Sequence, residues 1–153
     1  MVRHAFYWRW GTPEGEHVPA SRYVEGWGRR GDGSVVALES GLRVGAAWFR
    51  LFPEAAPGYG FVDESTPELA IGVVPSRRGR GYGQALLEGL LEHARVEGHT
   101  AMSLSVERAN PALHLYERFG FRPVGEAGDT LTMHADLGST PEPRLRGEGQ
   151  DGM

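Results

Sequence analysis

The stretch ELAIGVVPSRRGRGYGQALLEGLL, residues 68–91, decides how the rest of the chain is read. Its first seven residues are apolar apart from Glu68 and include β-branched Ile71, Val73 and Val74, so a strand is expected over 68–74, ended by Pro75. Gly72 inside that strand predicts a bulge or a close backbone approach. Further on, Leu86, Leu87, Leu90, Leu91 and Ala94 recur at helical spacing, Glu88, Glu92 and Arg95 fall on the opposite side, and Gly98 is a good stop. Between strand and helix lies SRRGRGYG, residues 76–83. A glycine-rich turn of this kind aims several backbone N–H groups at one point, where the helix N-terminus adds partial positive charge. That is an anion site, and phosphate is its usual guest.

The same eight residues also resemble an arginine-glycine segment that sticks to nucleic acid. Charge argues against that reading. All 16 basic residues are Arg, and 20 acidic residues leave a net charge of −4. A sequence-independent nucleic-acid binder needs a basic surplus to release counterions. Two familiar phosphate loops are also excluded. G-x-x-x-x-G-K-[ST] requires a Lys, and the chain has none; G-x-G-x-x-G fails because Gly79, Gly81 and Gly83 are spaced by twos. What remains is R-x-x-G-x-G, from Arg78 to Gly83.

Upstream, residues 20–27 have the pattern of a short helix, and residues 34–39 and 42–52 read as a hairpin turned at Ser40-Gly41. Residues 53–67 are loop by their Pro, Gly and acidic content. Downstream, AMSLSV (101–106) alternates as a strand, Asn110-Pro111 opens a helix that ends at Gly120, and FRPVGE and TLTMHADL close as two strands. The expected architecture is a mixed α/β sheet with helices on its faces. Residues 1–137 form one domain and 138–153 a disordered tail. Without cysteine there is no disulfide framework and no thiolate nucleophile, and no two His stand four apart, so no metal is expected. The chain has neither a long apolar run nor a secretory h-region, which points to a cytoplasmic location away from membranes.

Two blocks, ELAIGVVPSRRGRGYGQALLEGLL and LSVERANPALHLYERFGF, together resemble the GNAT superfamily of acetyl-CoA-dependent N-acyltransferases. The likeness is close over 68–125 and looser over 34–137. It implies a mainly antiparallel twisted sheet flanked by helices, and transfer of an acetyl group from acetyl-CoA to a small-molecule or peptide amine. By the same likeness, Arg78, Gly79, Arg80, Gly81, Tyr82, Gly83 and Gln84 form the pyrophosphate loop, and Ile71, Gly72 and Val73 pair with the pantetheine arm. Asn110 contacts the coenzyme near that arm, and Tyr116 protonates the departing thiolate. The chemistry is consistent with this. Amide formation from a thioester needs a neutral amine, a donor for the developing oxyanion and a proton for sulfur.

Relatives acting on protein N-termini carry Glu on the strand before the Asn-bearing helix; here Ser105 stands in that place. Glu68 is the replacement candidate for the base, with Asp63, Glu64, His114 and His134 as lesser options. Tyr7, Trp8, Trp10, Trp27, Trp48, Phe52, Tyr59 and Phe61 are available either to receive an amine with an apolar body or simply to pack the fold. The competing reading is a non-catalytic acyl-CoA-binding or regulatory domain that keeps the loop without turnover. The N-terminal part is shortened relative to the family, which leaves the aromatics of VRHAFYWRW to form a homodimer interface, with the last strands as the alternative.

Overall fold

The computed structural model describes residues 27–138. Within them the chain forms β1 (Gly33–Glu39), β2 (Leu42–Arg50), β3 (Glu68–Val73), a 3-10 turn at Pro75–Arg77, α1 (Tyr82–Val96), β4 (Ala101–Glu107), α2 (Ala112–Arg118), β5 (Arg122–Ala127) and β6 (Thr130–Asp136). The helix expected over 20–27, the aromatic segment at 7–10 and the tail beyond 138 lie outside the described residues, Trp27 excepted.

The six strands form one sheet in the order β1-β2-β3-β4-β6-β5. β1 turns into β2 through Ser40 (φ 52°) and Gly41 (φ 82°), the two-residue geometry that matches strand twist. β3 and β4 are the parallel neighbours, joined through α1, and their pairing is confined to Glu68 opposite Ser103. The Ser103 N–H donates to the Pro67 carbonyl at 3.0 Å, and beyond that point a gap opens between the strands.

α1 covers one face of the sheet. Leu86, Leu87, Leu90, Leu91 and Ala94 are buried with Ala47, Phe49, Leu69, Leu104 and Met133. A fully buried Leu contributes roughly 1.5–3 kcal/mol. Four of them outweigh the roughly 1 kcal/mol of helix propensity that Gly83 and Gly89 each cost.

The other face carries a row of polar residues in cross-strand register: Arg50, Glu68, Ser103, His134 and Arg122, on β2, β3, β4, β6 and β5. Arg50 is 1% exposed and donates to Asp32 from Nε at 2.9 Å and from a terminal nitrogen at 2.7 Å. Burial would raise the Asp32 carboxyl, but Arg50 and the amides of Arg29 and Gly28 hold it below the usual carboxylate range. The Arg50 guanidinium also lies over the Trp27 ring, 5.2 Å from its centroid.

Three sequence expectations are corrected. β2 stops at Arg50 instead of Phe52, because its partner β3 begins at Glu68, the residue opposite Arg50. Gly72 makes no bulge with β2: register is continuous from Gly45 opposite Val73 to Arg50 opposite Glu68. Asn110 lies just before the first cap, which falls on Pro111, yet its side-chain oxygen accepts the Ala112 N–H at 2.9 Å and so still caps α2.

Candidate active site

The gap between β3 and β4 is the mouth of a cleft of about 440 Å³. Glu68 to Ile71 and Val73 form one wall; Leu104, Ser105 and Val106 form the other. Arg77, Arg78, Gly79, Tyr82 and Gly83 close one end, and Asn110, Leu115 and Tyr116 of the α2 segment line it too.

Backbone polarity on β3 follows from two bonds. The Val74 N–H donates to Val44 on β2 at 2.8 Å, while the Pro67 carbonyl faces β4. Because polar groups alternate along a strand, those of Leu69, Ile71 and Val73 face the gap and those of Gly72 face β2. The Val73 carbonyl accepts Arg78 Nε at 3.2 Å, as this alternation requires. Beyond the Glu68–Ser103 rung, which takes the Leu69 N–H, Ile71 thus presents strand hydrogen-bonding groups to a cleft where β4 has diverged.

The glycine-rich loop presents donors of the same kind. Arg78 N–H donates to the Pro75 carbonyl at 3.3 Å, and the next backbone bond is Ala85 N–H to the Gly81 carbonyl at 3.1 Å. Among the described residues, the six amides from Gly79 to Gln84 donate to no carbonyl. The loop reaches this shape through Gly79 (φ 79°) and Gly81 (φ 84°), a left-handed region that side chains other than Gly enter at a cost. A Cβ built on either would meet nothing within 4 Å, so it is backbone conformation, not crowding, that asks for glycine.

Tyr116 is 8% exposed, and burial pushes its phenol up to about 12. Glu68 is 2% exposed, buried where a solvated strand end was the alternative, and accepts the Gly60 N–H at 2.8 Å. Gly60 lies flat on β4: a Cβ there would approach the Leu104 carbonyl carbon to 2.5 Å. Glu68 therefore fastens the 53–67 loop over the closed end of the gap while also lining the cleft.

The structure gathers Glu68, Ile71, Val73, Arg78, Gly79, Tyr82, Gly83, Asn110 and Tyr116 around the one cleft. Gly72, Arg80, Gly81 and Gln84 do not line it. Asp63 is exposed and turned onto Ser65, Glu64 accepts the Glu54 N–H at 2.8 Å, and His114 is exposed; none lines the cleft. His134 sits in the polar row opposite Ser103. Sequence reasoning missed Arg77 and the β4 wall, although the alternation of Met102, Leu104 and Val106 carried that signal. Among the described residues, no three His, Asp or Glu side chains are grouped to hold a metal ion.

A free strand edge beside a free amide cradle is a combination with known relatives. The acetyltransferase (GNAT) family model matches residues 2–121. The chain belongs to the GNAT family. Among sequence relatives, the mycothiol acetyltransferase of Propionibacterium freudenreichii subsp. shermanii is 35% identical over 113 residues, covering 71% of this chain and 34% of the relative. This GNAT chain thus spans about a third of the length of the curated relatives it matches. Among solved structures, yncA of Salmonella typhimurium with its cofactor acetyl-CoA is 28% identical at a TM-score of 0.59, over 75% of this chain and 70% of that one. The phosphinothricin acetyltransferase of Sinorhizobium meliloti in complex with AcCoA is also 28% identical, with a TM-score of 0.59, over 76% and 68%. The mixed six-stranded GNAT sheet expected from sequence is the one observed.

Proposed function

We propose that this GNAT domain, residues 1–137, transfers an acetyl group from acetyl-CoA to a primary amine by direct attack within a ternary complex. The observation that carries the reading is the pairing of two sets of groups: those that Ile71 turns to the gap beyond the Glu68–Ser103 rung, and the six loop amides. Acetyl-CoA has a matching pair of features, an amide-bearing pantetheine arm and a pyrophosphate. When bound it supplies the activated acetyl thioester.

The residues present fit that group. Amides from Gly79 to Gln84 would hold the pyrophosphate, with charge supplied by the start of α1. Ile71 and Val73 would extend the sheet ladder onto the arm, and Asn110 would bracket it from just ahead of α2. Gly72 presents its own amide to β2, so the donor for developing carbonyl charge is read as a neighbouring gap-facing amide. Tyr116 keeps its proton at neutral pH and would hand it to the departing sulfur. Glu68 would take the amine proton, with Gly60 steadying one of its oxygens. Holding both substrates together would supply much of the rate. A small molecule is favoured over a peptide: Ser105 replaces the Glu of N-terminal-peptide relatives, and relatives are named for mycothiol and L-methionine sulfoximine.

Calorimetry with acetyl-CoA tests the reading, followed by free-thiol release with a panel of small amines. Binding plus amine-dependent thiol release is expected. Binding with no release from any amine would favour a non-catalytic acyl-CoA-binding domain, and no binding would remove the reading altogether. The accompanying proposals are a cytoplasmic homodimer, with light scattering at micromolar concentrations deciding the assembly state.

A further inference from the structure

The loop that presents six free amides has few restraints of its own. Its backbone bonds stop at Arg78 and resume at Ala85, and three of the residues between are glycine. Such a segment loses much entropy when ordered, and a floppy cradle binds weakly. Something outside the loop must hold it in shape.

Glu39 is placed to do so. It is the last residue of β1, fixed at the corner of the Ser40-Gly41 turn and paired with Leu42. Its carboxylate receives Arg77 Nε in an ion pair and Arg80 at 3.4 Å. The two arginines flank Arg78 and Gly79, so one carboxylate from 38 residues upstream grips the loop on both sides of its first left-handed glycine. The Arg78 side chain bonds the Val73 carbonyl and ties the same segment to β3. Arg77 and Glu39 are about one-third exposed, so the pair lies at the surface, next to the cleft that Arg77 lines.

We infer that Glu39 is a positioning residue for the coenzyme: it clamps Arg77 and Arg80 so that the loop amides stand preformed for a pyrophosphate. The inference rests on the acetyl-CoA reading. It assigns the phosphates to the backbone amides and gives two of the loop's arginines a bracing role. The opposite arrangement, in which Glu39 merely competes with phosphate for the arginines, makes the opposite prediction.

Acetyl-CoA affinity is measured by calorimetry for the wild-type chain, Glu39→Gln, Arg77→Ala and the double variant, with melting temperatures of the unliganded proteins. Each single substitution is expected to weaken binding about threefold to tenfold, the scale of a partly exposed ion-pair network. The double variant should bind no worse than the weaker single, because the two residues act as one clamp. Melting temperatures should stay within about 2 °C of wild type, as expected for a surface pair. Unchanged or tighter binding by Glu39→Gln overturns the inference, as do fully additive losses or a parallel fall in melting temperature. If the wild-type chain itself fails to bind, the acetyl-CoA reading falls and takes this one with it.

Discussion

The Phe121 ring meets the Tyr116 ring edge-on, with centroids 5.9 Å apart, and the Phe121 N–H donates to the Tyr116 carbonyl at 3.1 Å. Both contacts are products of the way α2 ends. Gly120 sits at φ 90°, its N–H donates to the Glu117 carbonyl at 3.1 Å, and the chain folds back so that Phe121 lands on the last turn. A helix stop is thereby also the support that fixes the candidate acid.

Gly120→Ala should therefore reach the site from outside it. A left-handed conformation costs a residue with a Cβ roughly 1–2 kcal/mol. The melting temperature should fall by several degrees. Turnover should fall further than acetyl-CoA affinity, since Tyr116 and not the loop loses its support. Thermal melts and steady-state kinetics on the same preparation check both.

Tyr116→Phe should retain coenzyme affinity and lower turnover by ~10²-fold or more, the scale of a positioned acid. The buried phenol also leaves a mark on stability. Its value is raised from 10.0 to about 12, so its contribution is fully present below about pH 10 and is lost as pH rises towards 12. Urea melts between pH 9 and about 11.5 should show that decline in wild type and a flatter course in Tyr116→Phe. Unaltered turnover would return Tyr116 to a packing role.

Gly81→Asp and Gly83→Glu should abolish acetyl-CoA binding, by setting a negative charge at the phosphates. Gly81→Asp also strains the loop at φ 84°. Arg80→Ala should weaken binding less than either. Calorimetry ranks the three, and a larger loss for Arg80→Ala would mean that a charge patch, not the amides, does the binding.

Removing Asp32 leaves the Arg50 charge buried without that partner. Asp32→Ala should destabilise the fold by up to about 3–5 kcal/mol, the scale for half of a buried pair, reduced by the contacts Arg50 keeps, such as Trp27. The Asp32 carboxyl is held below 3.8, so its stabilisation is present above about pH 4 and is lost as pH falls through its folded value. Acid titration of the far-ultraviolet dichroism should show a lower-pH limb in wild type that Asp32→Asn flattens.

Much of this was legible from local pattern. Strand 68–74, the leucine stripe of α1 and the glycine stops at 98 and 120 each depend on residues a few positions apart, and each appeared within two or three residues of its expected bounds. The loop was legible because glycines spaced by twos have few other uses. Residues that meet only through the sheet left no local trace. Glu39 lies 38 positions from Arg77, and nothing around it marks it as the partner. Arg50 and Glu68 each look like ordinary strand-end charges until register sets them side by side on a covered face. The Gly72 bulge was overread, because a glycine in a strand also serves an unbroken ladder.

The single rung between Glu68 and Ser103 has a consequence for how the molecule comes apart. It divides the sheet into two three-stranded units, β1-β2-β3 and β4-β6-β5, that share a helix and little hydrogen bonding. Cooperativity in a sheet is carried by its ladders, so a sheet with one rung at its middle is the kind of structure in which one half can open while the other persists. A ligand that hydrogen-bonds to β3 while packing on β4 would serve as the missing middle strand. Hydrogen exchange would then read out two protection levels in the free chain and one in the bound chain, with occupancy changing the number of unfolding units as well as the depth of the well.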